Sequence, residues 1–122
     1  MGAVLIGGAA GSLSRYLVGH IVGNMAGTMF PWATLAVNVS GSIFLGYVGT
    51  IAVLKPGAID PNIRLLLTTG FAGGFTTYSA FTFETLLLYQ QGEFDLVPLN
   101  IMCNLLLGFV GVWAGIVIAR LT

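Results

Sequence analysis

The chain has 122 residues, of which 57% are hydrophobic and only 7% are charged, and its formal net charge is zero. A soluble domain carries about 25% charged residues, because its surface must face water. The composition therefore excludes an ordinary soluble globule and predicts a chain embedded in a lipid bilayer, while the absence of a basic tract argues against a nucleic-acid partner.

The chain is long enough for one domain of at most four membrane spans, since each span needs roughly 20 mostly apolar residues. We predict the first span at about 3–23 and the second at about 32–54, after a turn-rich stretch that ends at Pro31. A third segment, about 63–91, is too long and too interrupted for one plain helix, and a fourth span follows at about 98–120. The predicted fold is an all-α membrane protein with four transmembrane helices.

The few charges favour one orientation in the membrane only weakly. With four spans, Lys55, Arg64 and Arg120 share a side with both termini, and the other side holds Arg15 at most. The positive-inside rule then favours cytoplasmic termini. Because a bias of two or three charges is small, insertion in both orientations is also expected. Four short helices leave little room for a pathway within one subunit, so we expect a dimer.

Polar side chains recur on one face of the second span and on one face of the fourth. Thr34, Asn38 and Ser42 are spaced four residues apart, and Asn100 and Asn104 repeat this spacing. Polar groups inside a bilayer need a partner or a purpose. Two interpretations stay open here: hydrogen bonds that only hold the two helices together, or a polar track along a pore.

The third segment contains the sequence TTGFAGGFTTYSAFTFE at 68–84, in which glycine weakens the helix at mid-membrane. We predict a break near 72–76, where hydroxyl side chains can satisfy the freed backbone groups. A broken helix exposes carbonyl groups at the end of its first half, which suit a cation. It exposes amide groups at the start of its second half, which suit an anion.

Two aromatic and two ionisable side chains are further candidates for function. Tyr78 and Phe81 are three residues apart and share a helix face. Such rings usually pack, but their edges carry partial positive charge and can accompany a small anion. Glu84 is the only acid within a predicted span, and Arg15 is the basic residue of the first span. An ionisable group inside a membrane must be paired, neutralised or hydrated.

The sequence resembles the Fluc (CrcB) family of fluoride channels over nearly its whole length. The resemblance covers GGAAGSLSRY at 7–16, PWATLAVNVSGSIFLG at 31–46 and the highly specific GFAGGFTTYSAFTFE at 70–84. It implies an antiparallel, dual-topology homodimer in the bacterial inner membrane, which exports fluoride passively through two pores. It also implies a structural Na⁺ at the centre of the dimer. Because some family members assemble from non-identical subunits, a heterodimer with a paralogue stays open.

The resemblance also implies roles for particular residues. The backbone carbonyls of Gly73 and Thr76 would hold Na⁺, Arg15 would lie near a pore vestibule, and Glu84 would be the family's third-helix glutamate. The residues implied along the fluoride pathway are Asn38, Tyr78, Phe81, Ser79, Thr82, Thr34 and Asn104.

The chain departs from the family pattern beside the first pathway aromatic. The family usually has Phe-Ser-Thr-Phe, whereas this chain has Tyr-Ser-Ala-Phe at 78–81. Tyr78 keeps the ring edge and adds a hydroxyl that can donate a hydrogen bond to an anion. Ala80 removes a hydroxyl.

Two other functions compete with a channel. A small dual-topology multidrug/proton antiporter has a membrane carboxylate characteristically in its first helix, where this chain has no acid. A non-transporting membrane subunit would use its asparagines and glycines for assembly alone. The sequence contains no nucleotide-binding loop, redox ligand set or nucleophile–base pair, so we expect neither an enzyme nor an energised pump.

Overall fold

The computed structural model describes residues 1–26 and 29–122, and these are helical between short turns. The third helical segment is interrupted, so that it consists of two helices, α3 and α4. α3 runs over 61–75 and has three consecutive parts, which are α-helical Pro61–Leu65, π-helical Leu66–Ala72 and α-helical Gly73–Phe75. The other helices are α1 (Gly2–Ala26), α2 (Trp32–Leu54), α4 (Tyr78–Gln90) and α5 (Leu96–Leu121).

Local sequence explains several helix ends. Asp60 caps the start of α3, because its side chain accepts a hydrogen bond of 2.8 Å from the N–H of Asn62. Pro61 lies in the first turn, where an N–H would have no acceptor within the helix, so its missing N–H costs no hydrogen bond. Gly57 and Gly92 have φ values of 85° and 80° in the two turns that flank the third segment. Glycine adopts this left-handed conformation without strain.

α1 packs against α3 with the two backbones in contact. A Cβ atom on Gly7 would overlap the carbonyl oxygen of Leu66, and one on Gly11 would overlap that of Phe71. Small residues four apart permit such close approach of helices in lipid. The same stretch of α3 is π-helical, a conformation that occurs mostly in short segments and is frequent at functional sites.

α2 and α5 form the second closely packed pair. A Cβ atom on Gly115 would overlap the carbonyl oxygen of Ile43, and one on Gly46 would overlap that of Val112. Gly7 and Gly11 on α1, and Gly111 and Gly115 on α5, are each four residues apart and permit this close packing, whereas a Cβ atom on Gly19 or Gly23 would meet nothing within 4 Å.

Replacing Gly115 with alanine is expected to destabilise the protein. The added methyl group meets backbone atoms of α2, which cannot move aside, so overpacking is expected to cost about 1–3 kcal/mol. Thermal unfolding of the purified protein in detergent measures the effect. Gly49→Ala on α2 is the matched control, because a Cβ atom there meets nothing within 4 Å. Equal melting temperatures for the two variants would contradict this packing.

The break in the third segment lies at Thr76 and Thr77. Thr76 has a ψ of 159° and Thr77 a φ of −151°, both in extended conformations. The glycine pair before it remains helical, and a Cβ atom on Gly74 would lie 2.7 Å from the carbonyl oxygen of Gly8 on α1. The prediction of a break near 72–76 assumed that glycine weakens the helix. In the structure Gly74 serves contact with α1, and the extended backbone begins at Thr76.

The helices present large apolar side chains outwards. α2 and α5 are each long and apolar enough to cross a membrane by length and composition. Leu13, Val53, Phe83, Phe109 and Trp113 are all more than half exposed. A surface of this kind is stable against hydrocarbon and not against water, which agrees with a membrane protein.

Candidate functional site

Asn38 on α2 holds the break in its extended conformation. Its Nδ2 donates to the carbonyl oxygen of Thr77 at 3.1 Å, and its Oδ1 accepts from the N–H of Thr77 at 2.8 Å. Thr77 is buried, and buried backbone polar groups need partners. The side-chain amide of Asn38 therefore replaces the bonds that the N–H and the carbonyl of Thr77 would make in a continuous helix.

The break also leaves the carbonyl groups at the end of α3 without their α-helical donors, among them those of Gly73 and Thr76. In a continuous helix the N–H of Thr77 would bond the carbonyl of Gly73, and the N–H of Ala80 would bond the carbonyl of Thr76. Here the N–H of Thr77 goes to Asn38, and the N–H of Ala80 goes to the Oγ1 of Thr77 at 3.1 Å. Gly73 and Thr76 are thus among the residues whose carbonyls lose these donors, and the family resemblance implies these two as cation ligands.

The two aromatic residues follow directly after the break. The ring centroids of Tyr78 and Phe81 are 6.0 Å apart, with an angle of 58° between the rings. The Tyr78 side chain is 78% exposed, whereas Phe81 is half-buried. Both border an open cavity of about 510 Å³, which is also lined by Asn38, Gly73, Thr76 and Asn104. The structure thus brings six of the predicted site residues to one cavity.

The predicted hydroxyl residues fall into two places. Ser79 and Thr82 are exposed on α4, where Thr82 donates to the carbonyl of Ser79 at 3.0 Å. Thr34 is buried on α2 and donates to the carboxylate of Glu84. The first pair lies on the open side of α4, so the single chain does not enclose these hydroxyls in a passage.

The two ionisable candidates lie away from the 510 Å³ cavity. Glu84 borders a second cavity of about 280 Å³, beside Trp32 and Gln91 near the ends of α2 and α4. Arg15 is half-buried in the middle of α1, one turn after Gly11. Neither residue contributes to the lining of the cavity at the break.

Asn104 connects the polar face of α2 to that of α5. Its Oδ1 accepts from Asn38 at 3.0 Å, and its Nδ2 donates to the Oδ1 of Asn100 at 3.0 Å. Asn100 is fully buried and donates to Thr85 on α4 at 2.8 Å. The two polar stripes therefore hydrogen-bond helices to one another, and Asn38 and Asn104 also border the cavity at the break, so both interpretations that the sequence left open remain compatible with the structure.

Three residues of this cluster are absent from the site predicted by sequence. Thr77 is included in the sequence-based prediction only as one hydroxyl residue of the third-segment motif, and Asn100 only as a member of a polar stripe. The spacing of Asn100 and Asn104 was the available signal, since residues four apart share a helix face. Thr85 has no comparable signal, because its role depends on how α4 lies against α5.

Comparison with known proteins gives matches across the whole site. The chain matches the family model described as CrcB-like protein, Camphor Resistance (CrcB), over residues 2–116. A protein of Geobacter sulfurreducens named fluoride-specific ion channel FluC is 45% identical over 118 residues, which are 97% of this chain and 94% of that protein. Proteins of the same name from Rhizobium etli and Rhodopseudomonas palustris are 42% and 37% identical, each over 96% of this chain and over 93% and 94% of their own lengths.

Proposed function

The chain belongs to the CrcB family, and on this basis we propose that it is a fluoride-selective ion channel that passively exports fluoride and lowers its cytoplasmic concentration. Its relatives are named as ion channels, so the protein is a transporter and not an enzyme. The observation that carries the proposal is the clamped break at Thr76 and Thr77, followed at once by the aromatic pair and the hydroxyls of α4.

The donors at the break suit a small anion. Fluoride is strongly hydrated, so a pathway must replace its water with several donors that still release it. The ring edges of Tyr78 and Phe81 carry partial positive charge, and Ser79 and Thr82 add hydroxyl groups. The first N–H groups of α4 have no acceptor within that helix. None of these donors carries a full charge, which favours passage over tight binding.

We propose that an antiparallel second copy completes the pathway. Tyr78 is 78% exposed in the single chain, and the cavity at the break is open on one side. A ring in this position can guide an ion only if something covers it. A paralogous chain inserted in the opposite orientation would cover the same face, so the heterodimer stays an alternative.

The proposed Na⁺ lies between the two copies at the break. Carbonyl oxygens are good ligands for a hard cation, and the carbonyls of Gly73 and Thr76 have lost their helical donors to other bonds. Both residues line the open cavity, where a second copy would approach. The cation would balance the partial negative charge of these carbonyls and join the copies.

Removal of Na⁺ is expected to impair assembly. If the protein is purified with a larger monovalent cation in place of Na⁺, the carbonyl ligands no longer fit the ion, and the dimer should dissociate or stop conducting. Size-exclusion chromatography with light scattering gives the mass, and fluoride efflux from lipid vesicles gives the activity. An unchanged dimer with unchanged efflux in Na⁺-free buffer would argue against a structural Na⁺.

We propose a multi-pass location in the bacterial inner membrane. Lys55, Arg64 and Arg120 lie at the end of the molecule that holds the C-terminal ends of α2 and α5, while Glu93 and Asp95 lie in the turn at the other end. This distribution favours termini on the cytoplasmic side. In an antiparallel homodimer, half of the copies must also insert with their termini on the opposite side. In a heterodimer, a paralogue with the opposite charge bias would be the chain that inserts in this reverse orientation.

Growth of fluoride-sensitive bacteria tests the proposed function in cells. A strain that lacks its own fluoride exporter should grow at higher fluoride concentrations when it expresses this chain. Immunoblotting of isolated membranes controls for expression. Full-length protein in the membrane that gives no protection would contradict the proposal.

A further inference from the structure

A continuous chain of hydrogen bonds runs from the break to the backbone of the second pathway aromatic. Asn38 donates to Asn104 at 3.0 Å, and Asn104 donates to Asn100 at 3.0 Å. Asn100 donates to the hydroxyl of Thr85 at 2.8 Å, and that hydroxyl donates to the carbonyl of Phe81 at 2.6 Å. We call Asn38, Asn104, Asn100 and Thr85 the amide relay.

Backbone groups at both ends fix the direction of the relay. The carbonyl of Phe81 can only accept, so the hydroxyl of Thr85 must donate to it and accept from the amide nitrogen of Asn100. At the other end the N–H of Thr77 can only donate, so the Oδ1 of Asn38 must accept. The three amides therefore have one consistent orientation, in which each bond polarises the next.

The relay replaces the packing that α4 lacks. Within α4, every residue of which is described, Leu88 alone is buried. Asn100 on α5 is 0% exposed, so it has no access to water in place of Thr85. A buried amide needs its partners, and the bond from Asn100 to Thr85 therefore ties the poorly packed α4 to the core.

We propose that Asn100 and Thr85 are positioning residues of the fluoride pathway. Through the relay they set where the Phe81 ring lies relative to the clamped break at Thr77. This inference rests on the proposed function, because it assigns the position of Phe81 as the property that matters for conduction. Neither residue needs to contact the ion.

The test compares Thr85→Val with Thr85→Ser. Valine keeps the shape of the side chain and removes the hydroxyl, so fluoride efflux per folded dimer is expected to fall about tenfold. Serine restores the hydroxyl, and its efflux is expected to return to about half the wild-type rate or more. Ser40→Ala is the matched control: Ser40 also bonds back to a helix carbonyl, at 2.6 Å, but on an exposed face, so its efflux should not change.

Asn100→Leu gives an independent second arm. It is expected to lower efflux as Thr85→Val does, and the double variant should lose little more than either single variant, since both remove the same connection. Wild-type efflux from Thr85→Val, or equal impairment of the valine and serine variants, would overturn the inference. A merely structural role would lower the melting temperature and leave efflux per folded dimer unchanged, which would also overturn it.

If the protein is not a fluoride channel, the same experiments give a different result. In that case the wild-type protein itself shows no fluoride efflux, and the relay is tested by thermal unfolding of the same variants. Non-additive losses of melting temperature for Thr85→Val and Asn100→Leu are then expected. Additive losses would show that the two residues are not connected and would overturn the relay itself.

Discussion

Phe81→Ile is expected to abolish fluoride efflux from lipid vesicles while the protein remains folded and dimeric. The Phe81 ring borders the cavity at the break, 6.0 Å from the ring of Tyr78. Isoleucine is also large and apolar, so packing changes little. It lacks the ring edge with partial positive charge, which is the group proposed to accompany the anion. A fluoride electrode measures the efflux, and size-exclusion chromatography checks the dimer.

Phe83→Ile is the matched control for this experiment. Phe83 lies two residues further along α4, and its side chain is 62% exposed on another face of that helix. The same substitution there removes an equal aromatic surface without changing the cavity at the break. We expect wild-type efflux from Phe83→Ile. Retained efflux in Phe81→Ile would refute the role assigned to this ring.

Asn38→Leu is expected to have the second large effect, because it removes the clamp on the break. Leucine has a similar volume but makes none of the hydrogen bonds to Thr77 and Asn104. The N–H and carbonyl of the buried Thr77 would both lose their partner, at about 1–3 kcal/mol for each group. We expect loss of fluoride efflux and a lower melting temperature. Asn38→Asp keeps an acceptor for the N–H of Thr77 and should be less severe.

Hydrogen exchange at the amide of Thr77 reports directly on this clamp. In the wild-type protein the amide donates to Asn38 at 2.8 Å and should be protected. In Asn38→Leu we expect fast exchange at Thr77, with slow exchange retained in the middle of α2 and α5. A Leu variant that still protects Thr77 and still conducts fluoride would contradict the role of Asn38.

The sequence predicted those features that depend on composition and on one helix at a time. Seven per cent charged residues and long apolar segments predicted a helical membrane protein, and the all-helical fold and membrane character are confirmed. The family resemblance is also confirmed, by a match over residues 2–116. Residues four apart share a helix face whatever the helix packs against, so the polar stripes of Asn38 and Asn104 could be recognised before their contact was known.

The exact position of the break could not be predicted in this way. The extended backbone at Thr77 is held by Asn38, a residue 39 positions earlier in the chain. The predicted range of 72–76 includes Thr76, where the extended backbone begins, but the glycines are not its cause, since Gly74 remains helical and serves contact with α1. Local sequence also gave no indication that Thr85 bonds to Asn100. Both features depend on how separate helices come together.

Fluoride-electrode efflux from lipid vesicles that contain the purified wild-type protein tests the central claim most directly. Vesicles loaded with fluoride and vesicles loaded with chloride are compared, each with protein-free vesicles as the baseline. We predict rapid fluoride efflux and chloride efflux no faster than the baseline. Folded, dimeric protein that releases no fluoride above the baseline would contradict the account.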